Sequence, residues 1–280
     1  MAGLILPRRF TSQPQGAVEV DSNNSFADKL IAYTGASQLK NNPTDAVTLT
    51  GTAAFSPNDG GMALNTGSDG LARISDSSSW TFPDTQKLSF AFVGIINYVD
   101  SPWGGVLVKR RANNTLAGPM LARDSSNDWL RIYNGNSYCI ANTFALSSIF
   151  GKRCVLFVTL IGSGGVTTAK LYVNGVNVYT GTITNWINTD STGDLVVGSE
   201  NTANLTYSSG VEANLITAWN GRALSDIEVV EFSSNPWQIF RAPKRTLYFD
   251  VSTPGIPTLS LPGVDQITTT GARPYVSLGF

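Results

Sequence analysis

The stretch Lys170-Leu171-Tyr172-Val173-Asn174-Gly175-Val176-Asn177-Val178-Tyr179 decides the reading of this chain. Two alternating segments, rich in β-branched and aromatic residues, flank an Asn-Gly pair. Asn and Gly tolerate the positive φ angles of a type I′ turn, whose twist matches the strands it joins, so the stretch is a tight β-hairpin. Working outward, short β-rich runs separated by Gly, Asn, Asp and Ser turns recur from Ala46 onward, the spacing of a sandwich or barrel.

The clearest strands are Lys87 to Val99, Gly105 to Arg110, Trp129 to Tyr133, Arg153 to Ile161, Ala169 to Val173, Val176 to Thr180, Asp194 to Gly198 and Gly210 to Trp219. In the first, Leu88, Phe90, Phe92 and Gly94 alternate with Ser89, Ala91, Val93 and Ile95. Both faces become apolar towards its end, which is the pattern of a central strand. The one convincing helix begins at Ser225, where Ser225-Asp226-Ile227-Glu228 forms a capping box. It ends before Asn235-Pro236, because the residue preceding proline is pushed out of the α region. Its two turns are expected to face inward through Ile227 and Val230. Beyond Trp237-Gln238-Ile239-Phe240, the segment from Pro254 to Phe280 carries two strand-like pieces, Asp265 to Thr270 and Pro274 to Phe280. It reads as a linker plus hairpin, or as an arm that orders on a partner.

The chain has 280 residues, 19 Lys+Arg against 20 Asp+Glu, and no histidine. Without an imidazole there is no Ser-His-Asp or Cys-His mechanism, and no zinc, copper or non-haem iron site of the imidazole-bearing kind. A net charge of −1 gives no electrostatic footprint for a phosphate backbone, which argues against nucleic acid. Charged residues make up 14%, well below the usual ~25%, and Ser, Thr, Asn and Gly take their place, as in all-β proteins with neutral polar surfaces. The start, MAGLILPRR, has too short an apolar run for a signal peptide, and its charges follow the run. No stretch approaches the ~20 apolar residues of a membrane span. The expectation is a chain made in the cytosol, or one that leaves it by a route other than a signal peptide. Cys139 and Cys154 then read as two buried free thiols rather than a disulfide.

The order of these pieces resembles the laminin G-like, concanavalin A-like jelly-roll family. The residues carrying it are the strand Leu88 to Val99, Gly104-Gly105, the hairpin Leu171-Tyr172-Val173-Asn174-Gly175, Leu195-Val196-Val197-Gly198, Ala213 to Trp219 and Leu224-Ser225-Asp226-Ile227-Glu228. The resemblance covers Phe26 to Ser234 and implies an all-β sandwich with one short C-terminal helix and extended N- and C-terminal arms. The expected organisation is an arm over 1–25, the sandwich over 26–240 and a C-terminal arm or hairpin over 241–280. The flanks, Leu6 to Gln15, Asn235 to Phe240 and Ala272 to Leu278, look like those of such domains in tailed-bacteriophage structural proteins. That likeness implies a virion component, assembled in the host cytoplasm with other phage structural proteins as partners and a homo-oligomer, for instance a trimer.

Some members of the wider fold are retaining glycosidases with two carboxylates alternating on one strand. No such spacing occurs here, since Asp226, Glu228 and Glu231 lie on the expected helix. The resemblance also implies a calcium candidate on a rim loop, either Asp124, Asn127 and Asp128 or Asp190, Asp194, Glu200 and Asn201. Asp and Asn equally bond their own backbone in turns without any metal. Glycan binding would use aromatic faces, and the candidates are Trp103, Trp129, Tyr133 and Trp186. Each competes with a core role, to which Trp219 and Trp237 are assigned. The N-terminal arm, with Arg8, Arg9, Phe10, Val18 and Val20, reads equally as an arm that docks on a neighbour or as a frayed terminus, and Trp237 and Phe240 are expected to hold the far end. The resemblance therefore implies, as an expectation, a non-enzymatic virion surface protein, a capsid decoration or head-fibre component that contacts glycans. Its alternatives are a tail-associated receptor-binding lectin and a polysaccharide depolymerase.

Overall fold

A computed structural model describes residues 11–14, 18–33, 47–56, 63–67, 70–74, 87–99, 104–111, 116–124, 127–134, 137–184, 193–199, 209–242, 248–250 and 258–260. The strands begin with β1 (Glu19–Val20), β2 (Leu30–Tyr33), β3 (Val47–Thr50), β4 (Ala54–Ser56), β5 (Ala63–Asn65) and β6 (Leu71–Ile74). The middle of the chain supplies β7 (Lys87–Val99), β8 (Gly105–Arg111), β9 (Leu116–Arg123), β10 (Leu130–Asn134) and β11 (Ser137–Ala141). Then come β12 (Arg153–Ser163), β13 (Val166–Val173), β14 (Val176–Thr184), β15 (Gly193–Val197), β16 (Ser209–Asn220), helix α1 (Asp226–Ser234) and β17 (Phe240–Arg241). The last two are β18 (Tyr248–Asp250) and β19 (Thr258–Ser260).

Most strands fall into two antiparallel sheets, one of seven in the order β11-β10-β9-β8-β15-β6-β3 and one of eight in the order β14-β13-β12-β7-β16-β5-β4, with β2 also on β16. The architecture is the expected jelly-roll β-sandwich with one short helix. The hairpin forms as its sequence dictates: Asn174 and Gly175 sit at φ 51° and 84°, and Val173 faces Val176 across the turn. The Asn174 side chain also accepts the Val155 N–H at 2.8 Å, tying the turn to the start of β12. Strand β7 lies between β12 and β16. Phe90 and Phe92, with their cross-strand partners Val158 and Leu156, share one face of the sheet and belong to the main core.

The opposite face of the eight-stranded sheet is covered as well. Phe157 and Trp219 meet Phe232 of α1 at centroid distances of 5.7 and 5.1 Å, and Phe26 joins at 5.8 Å from Phe232. The Trp219 Nε1–H donates to the Phe26 carbonyl at 2.8 Å. The capping box is present: Ser225 N–H donates to Glu228 Oε2 at 2.8 Å, and Glu228 N–H to Ser225 Oγ at 3.4 Å. The inward face of α1 differs from expectation, because Val229 and Phe232 are buried whereas Ile227 and Val230 are 80% and 54% exposed. Both pairs are spaced three apart on a short helix, so spacing alone is neutral between them. The larger apolar surface of Phe232, fitted among Phe26, Phe157 and Trp219, decides the rotation.

The N-terminal segment corrects a second expectation. Val18 is buried in this chain's own core and Val20 packs against it, so neither is presented to a neighbour. The reason is local pairing: β1 pairs with β17, Asp21 N–H donates to Ile239 O at 2.8 Å, and Asn24 Nδ2 donates to Gln238 O at 2.8 Å. The same pairing buries Trp237 and Phe240 against this chain's own sandwich. Arg8, Arg9 and Phe10 lie outside the described residues. The chain divides into two compact units, Met1–Ala242 and Pro243–Phe280. Within the second, β18 pairs with β19; the pieces expected over 265–270 and 274–280 lie outside the described residues.

Cys139 and Cys154 are both free and buried. Burial pushes their thiols up, to about 11 for Cys139 and about 12 for Cys154. Among the described residues no helix is long and apolar enough to cross a membrane.

Candidate functional site

In an antiparallel ladder, residues directly opposite share a face. Ile132 faces Cys139 and both belong to the main core. It follows that the pairs Tyr133–Tyr138 and Arg131–Ile140 point to the outer face of the seven-stranded sheet. Tyr133 is 5% exposed and Tyr138 is 44% exposed, and their ring centroids lie 5.0 Å apart at a 43° tilt. The Arg131 guanidinium sits 4.6 Å from the centre of the Tyr138 ring, a cation–π arrangement, and its Nη1 donates to Tyr133 Oη at 3.4 Å.

Asp124 organises this group. Arg131 Nε donates to Asp124 Oδ1 at 2.5 Å, its Nη2 pairs with the same oxygen, and Asn127 Nδ2 donates to Oδ2 at 2.9 Å. The Asp124 N–H in turn donates to the Trp129 carbonyl at 2.8 Å, closing the loop between β9 and β10. Burial alone would lower the pKa of Arg131, but the hydrogen bonds to Tyr133 and Asp124 outweigh it and raise the value above the ordinary one. The guanidinium is therefore a fixed, fully charged brace. The result is a preorganised ring, Tyr138, held from its neighbours and open to solvent at one end of the sheet.

Of the expected glycan contacts, the structure brings Tyr133 into this group and places half-buried Trp129 in the loop that carries Asn127. Trp103 and Trp186 lie outside the described residues. Arg131 and Tyr138 are not among the expected contacts. The signal for Tyr138 is the run Tyr133-Asn134-Gly135-Asn136-Ser137-Tyr138, in which Gly135-Asn136 reads as a two-residue hairpin loop and so sets the two tyrosines opposite each other. Arg131 gives no such signal, because its partner comes from the preceding loop.

The side chains of the calcium candidates Asp124, Asn127 and Asp128 have protein partners in the structure. Asp124 serves Arg131 and Asn127, as above. Asp128 instead caps the short 3-10 turn Leu146–Ile149: its carboxylate accepts the Ser147 N–H at 3.0 Å and the Ser147 hydroxyl. The two carboxylates thus serve different partners. In the second set, Asp194 pairs with Arg73 at 3.3 Å, and Asp190, Glu200 and Asn201 lie outside the described residues. Among the described residues no group of three or more Cys, Asp or Glu side chains is arranged to hold a metal ion.

No protein-family model matches this chain, and no curated protein does. Solved structures do. The binding domain of Paraclostridial Mosquitocidal Protein 1 aligns at TM-score 0.51 and 14% identity, over 73% of this chain and 51% of that one. A mutant of the protein named HCR/D aligns at TM-score 0.52 and 12% identity, over 82% of this chain and 62% of that one. A Trypanosoma rangeli sialidase aligns at TM-score 0.47 and 13% identity, over 67% and 29%. The chain thus spans about half the length of the mosquitocidal structure. At these identities the first two likenesses establish the fold, and the fold they share with this chain is the jelly-roll β-sandwich.

Proposed function

We propose that this chain is a non-enzymatic contact protein that binds glycan through the outer face of the seven-stranded sheet. The observation that carries the reading is Tyr138, 44% exposed and braced by Tyr133 and Arg131. A fixed aromatic ring loses little freedom on binding and offers its surface to the apolar side of a sugar, while neighbouring amides and hydroxyls meet the sugar's own hydroxyls. Asn127, exposed beside Asp124, supplies such an amide. The mosquitocidal domain that shares this fold is itself a binding domain.

The acidic side chains favour contact over catalysis. Hydrolysis of a glycoside needs one carboxylic acid held protonated, with its pKa raised. Here Asp226 and Glu228 are shifted downward, Asp226 by its bonds to Lys170 and Tyr172, and Glu228, against the pull of burial, by Ser225 and Arg222. Asp124, Asp194, Glu212 and Glu19 each face an arginine.

The sequence flanks support placing this module on the surface of a tailed-bacteriophage particle, as a capsid decoration rather than a tail lectin. The test has two arms. Purified chain is exposed to an array of bacterial surface glycans, and Tyr138→Ala should lose binding at least about tenfold, that is about 1.4 kcal/mol, while keeping its melting temperature. Binding to no glycan, or equal binding by the variant, overturns the glycan reading. Mass spectrometry of purified virions should find the chain in many copies; absence overturns the virion reading, and a few copies the decoration role.

A further inference from the structure

We propose that the site at Tyr138 takes uncharged sugars, hexoses or N-acetylhexosamines, and discriminates against uronates, sialic acids and free amino sugars; this inference rests on the glycan reading given above. Between Asp124 and Gly151, the stretch that contains β10 and β11, the charged residues are Asp124, Asp128 and Arg131, one guanidinium against two carboxylates. The β9 residues opposite Arg131 and Tyr133 are Ala122 and Met120, which carry no charge. Arg123 stands opposite Leu130, a residue of the main core, so it belongs to the row on the other face from Arg131 and Tyr138.

The cation beside the ring is already committed. A guanidinium recognises a carboxylate or phosphate through two parallel N–H groups. In Arg131 that edge, Nε and Nη2, is turned to Asp124 Oδ1, and Nη1 donates to Tyr133 Oη at 3.4 Å. An anionic sugar resting on Tyr138 would have to draw this fork away and strand the Asp124 carboxylate, whose side chain is 2% exposed. Leaving one member of a buried pair alone is the costly way to break it. The same ligand would meet Asp128, whose carboxylate accepts the Ser147 N–H and hydroxyl, neutral donors that leave its charge uncompensated. Lys152 closes the other end of that turn, donating to the Ser148 carbonyl at 2.9 Å.

A cationic sugar is disfavoured for a different reason. The Arg131 guanidinium lies 4.6 Å from the centre of the Tyr138 ring, so the ring electrons already serve one cation and an added ammonium would face like charge. What the strand offers instead is apolar surface. Ile140, half-buried and two residues beyond Tyr138 on the same face, extends it along β11, the edge strand of its sheet. This strip suits the carbon–hydrogen side of an uncharged pyranose, while the Tyr138 hydroxyl and the Asn127 amide are neutral partners for its hydroxyls.

The test presents the full chain with oligomers of glucose, galactose, mannose and N-acetylglucosamine. Each hexose oligomer is paired with its C6-carboxylate form, and the N-acetylglucosamine oligomer with its deacetylated amine. For every backbone that binds, the neutral form should bind at least about tenfold more tightly than its charged counterpart, and Tyr138→Ala should abolish the difference by losing the neutral ligand. Binding of the neutral form should hold steady between about 0.05 and 0.5 M salt, because no ion pair forms. A carboxylated or amino form that binds as tightly as its neutral partner, and is lost in Tyr138→Ala, overturns the charge class and leaves the glycan reading standing. So does neutral-sugar binding that weakens as salt is added. Binding to no oligomer, or binding that Tyr138→Ala retains, overturns the glycan reading and this inference with it.

Discussion

On the outer face of the eight-stranded sheet, Phe157 and Trp219 lie beneath Phe232 of α1 and Phe26, and all four rings are buried. On the outer face of the seven-stranded sheet, Arg131, Tyr133 and Tyr138 stand in the same alternating positions, and Tyr138 remains open. The first face is closed by an element that brings its own apolar surface. The second buries a smaller apolar cluster, Leu71, Val108, Ala122, Tyr133 and Val196, and at its end a buried ion pair fixes the side chains around Tyr138 while leaving that ring open. The difference lies in what stays open: the four rings of the first face are all buried, and on the second Tyr138 keeps 44% of its surface exposed.

Removing the cover is the strongest way to break this contrast. Phe232→Ala deletes the ring that touches Phe26, Phe157 and Trp219, and such truncations cost about 3–5 kcal/mol. Denaturant unfolding should therefore move its midpoint sharply downward. A change below about 1 kcal/mol would mean that the cover packs loosely and that the two faces are not distinct in this sense. The open face has a smaller but sharper counterpart. Asp124→Ala leaves the Arg131 guanidinium, whose side chain is 9% exposed, without its buried partner, which costs about 3 kcal/mol. Replacing both, as Asp124→Ala with Arg131→Met, removes the stranded charge and should recover most of that loss. Glycan binding should fall in both variants, because Tyr138 loses its brace in each. A double variant as unstable as the single one would refute the ion pair as the organiser.

These two faces were unequally legible in the sequence. The Asn174-Gly175 hairpin, the apolar alternation of β7 and the Ser225 capping box rest on local rules, and each forms where those rules put it. Strand β9 escapes the local reading because it carries Gly118 and Pro119, and proline weakens a ladder. It is tolerated because the β8–β9 register slips between Val108 and Arg110, where the ladder is already open. The rotation of α1 was not local at all, since Ile227 with Val230 and Val229 with Phe232 are equivalent in spacing. Only the bowl formed by Phe26, Phe157 and Trp219 distinguishes them. For the site, Tyr133 was legible as a strand-end aromatic. The partnership of Asp124 with Arg131 was not, because a loop carboxylate reads as a turn residue until a neighbouring strand supplies the cation.

The smallest effect concerns how the cover is docked. Asp226 at the start of α1 accepts from Lys170 Nζ at 2.7 Å and from Tyr172 Oη at 2.7 Å, joining the helix to β13. These bonds hold the Asp226 carboxyl below the usual carboxylate range and raise Lys170 above its ordinary value. A lowered carboxylate contributes its stability above its unfolded pKa and loses it as pH falls through the folded value; a raised lysine contributes below its unfolded pKa and loses it as pH rises through the folded one. The link is therefore complete between the ordinary carboxylate and lysine ranges and fades on both sides. Because the Asp226 side chain is 63% exposed, water and salt screen the pair, and it is worth only a few tenths of a kcal/mol. Asp226→Asn should flatten the acid limb of stability against pH by that amount, and the difference from the native chain should shrink as salt is added. Parallel acid limbs for the two proteins would show that the helix is held by Phe232 and its aromatic neighbours alone, with the Lys170–Asp226 link contributing nothing to the closed face.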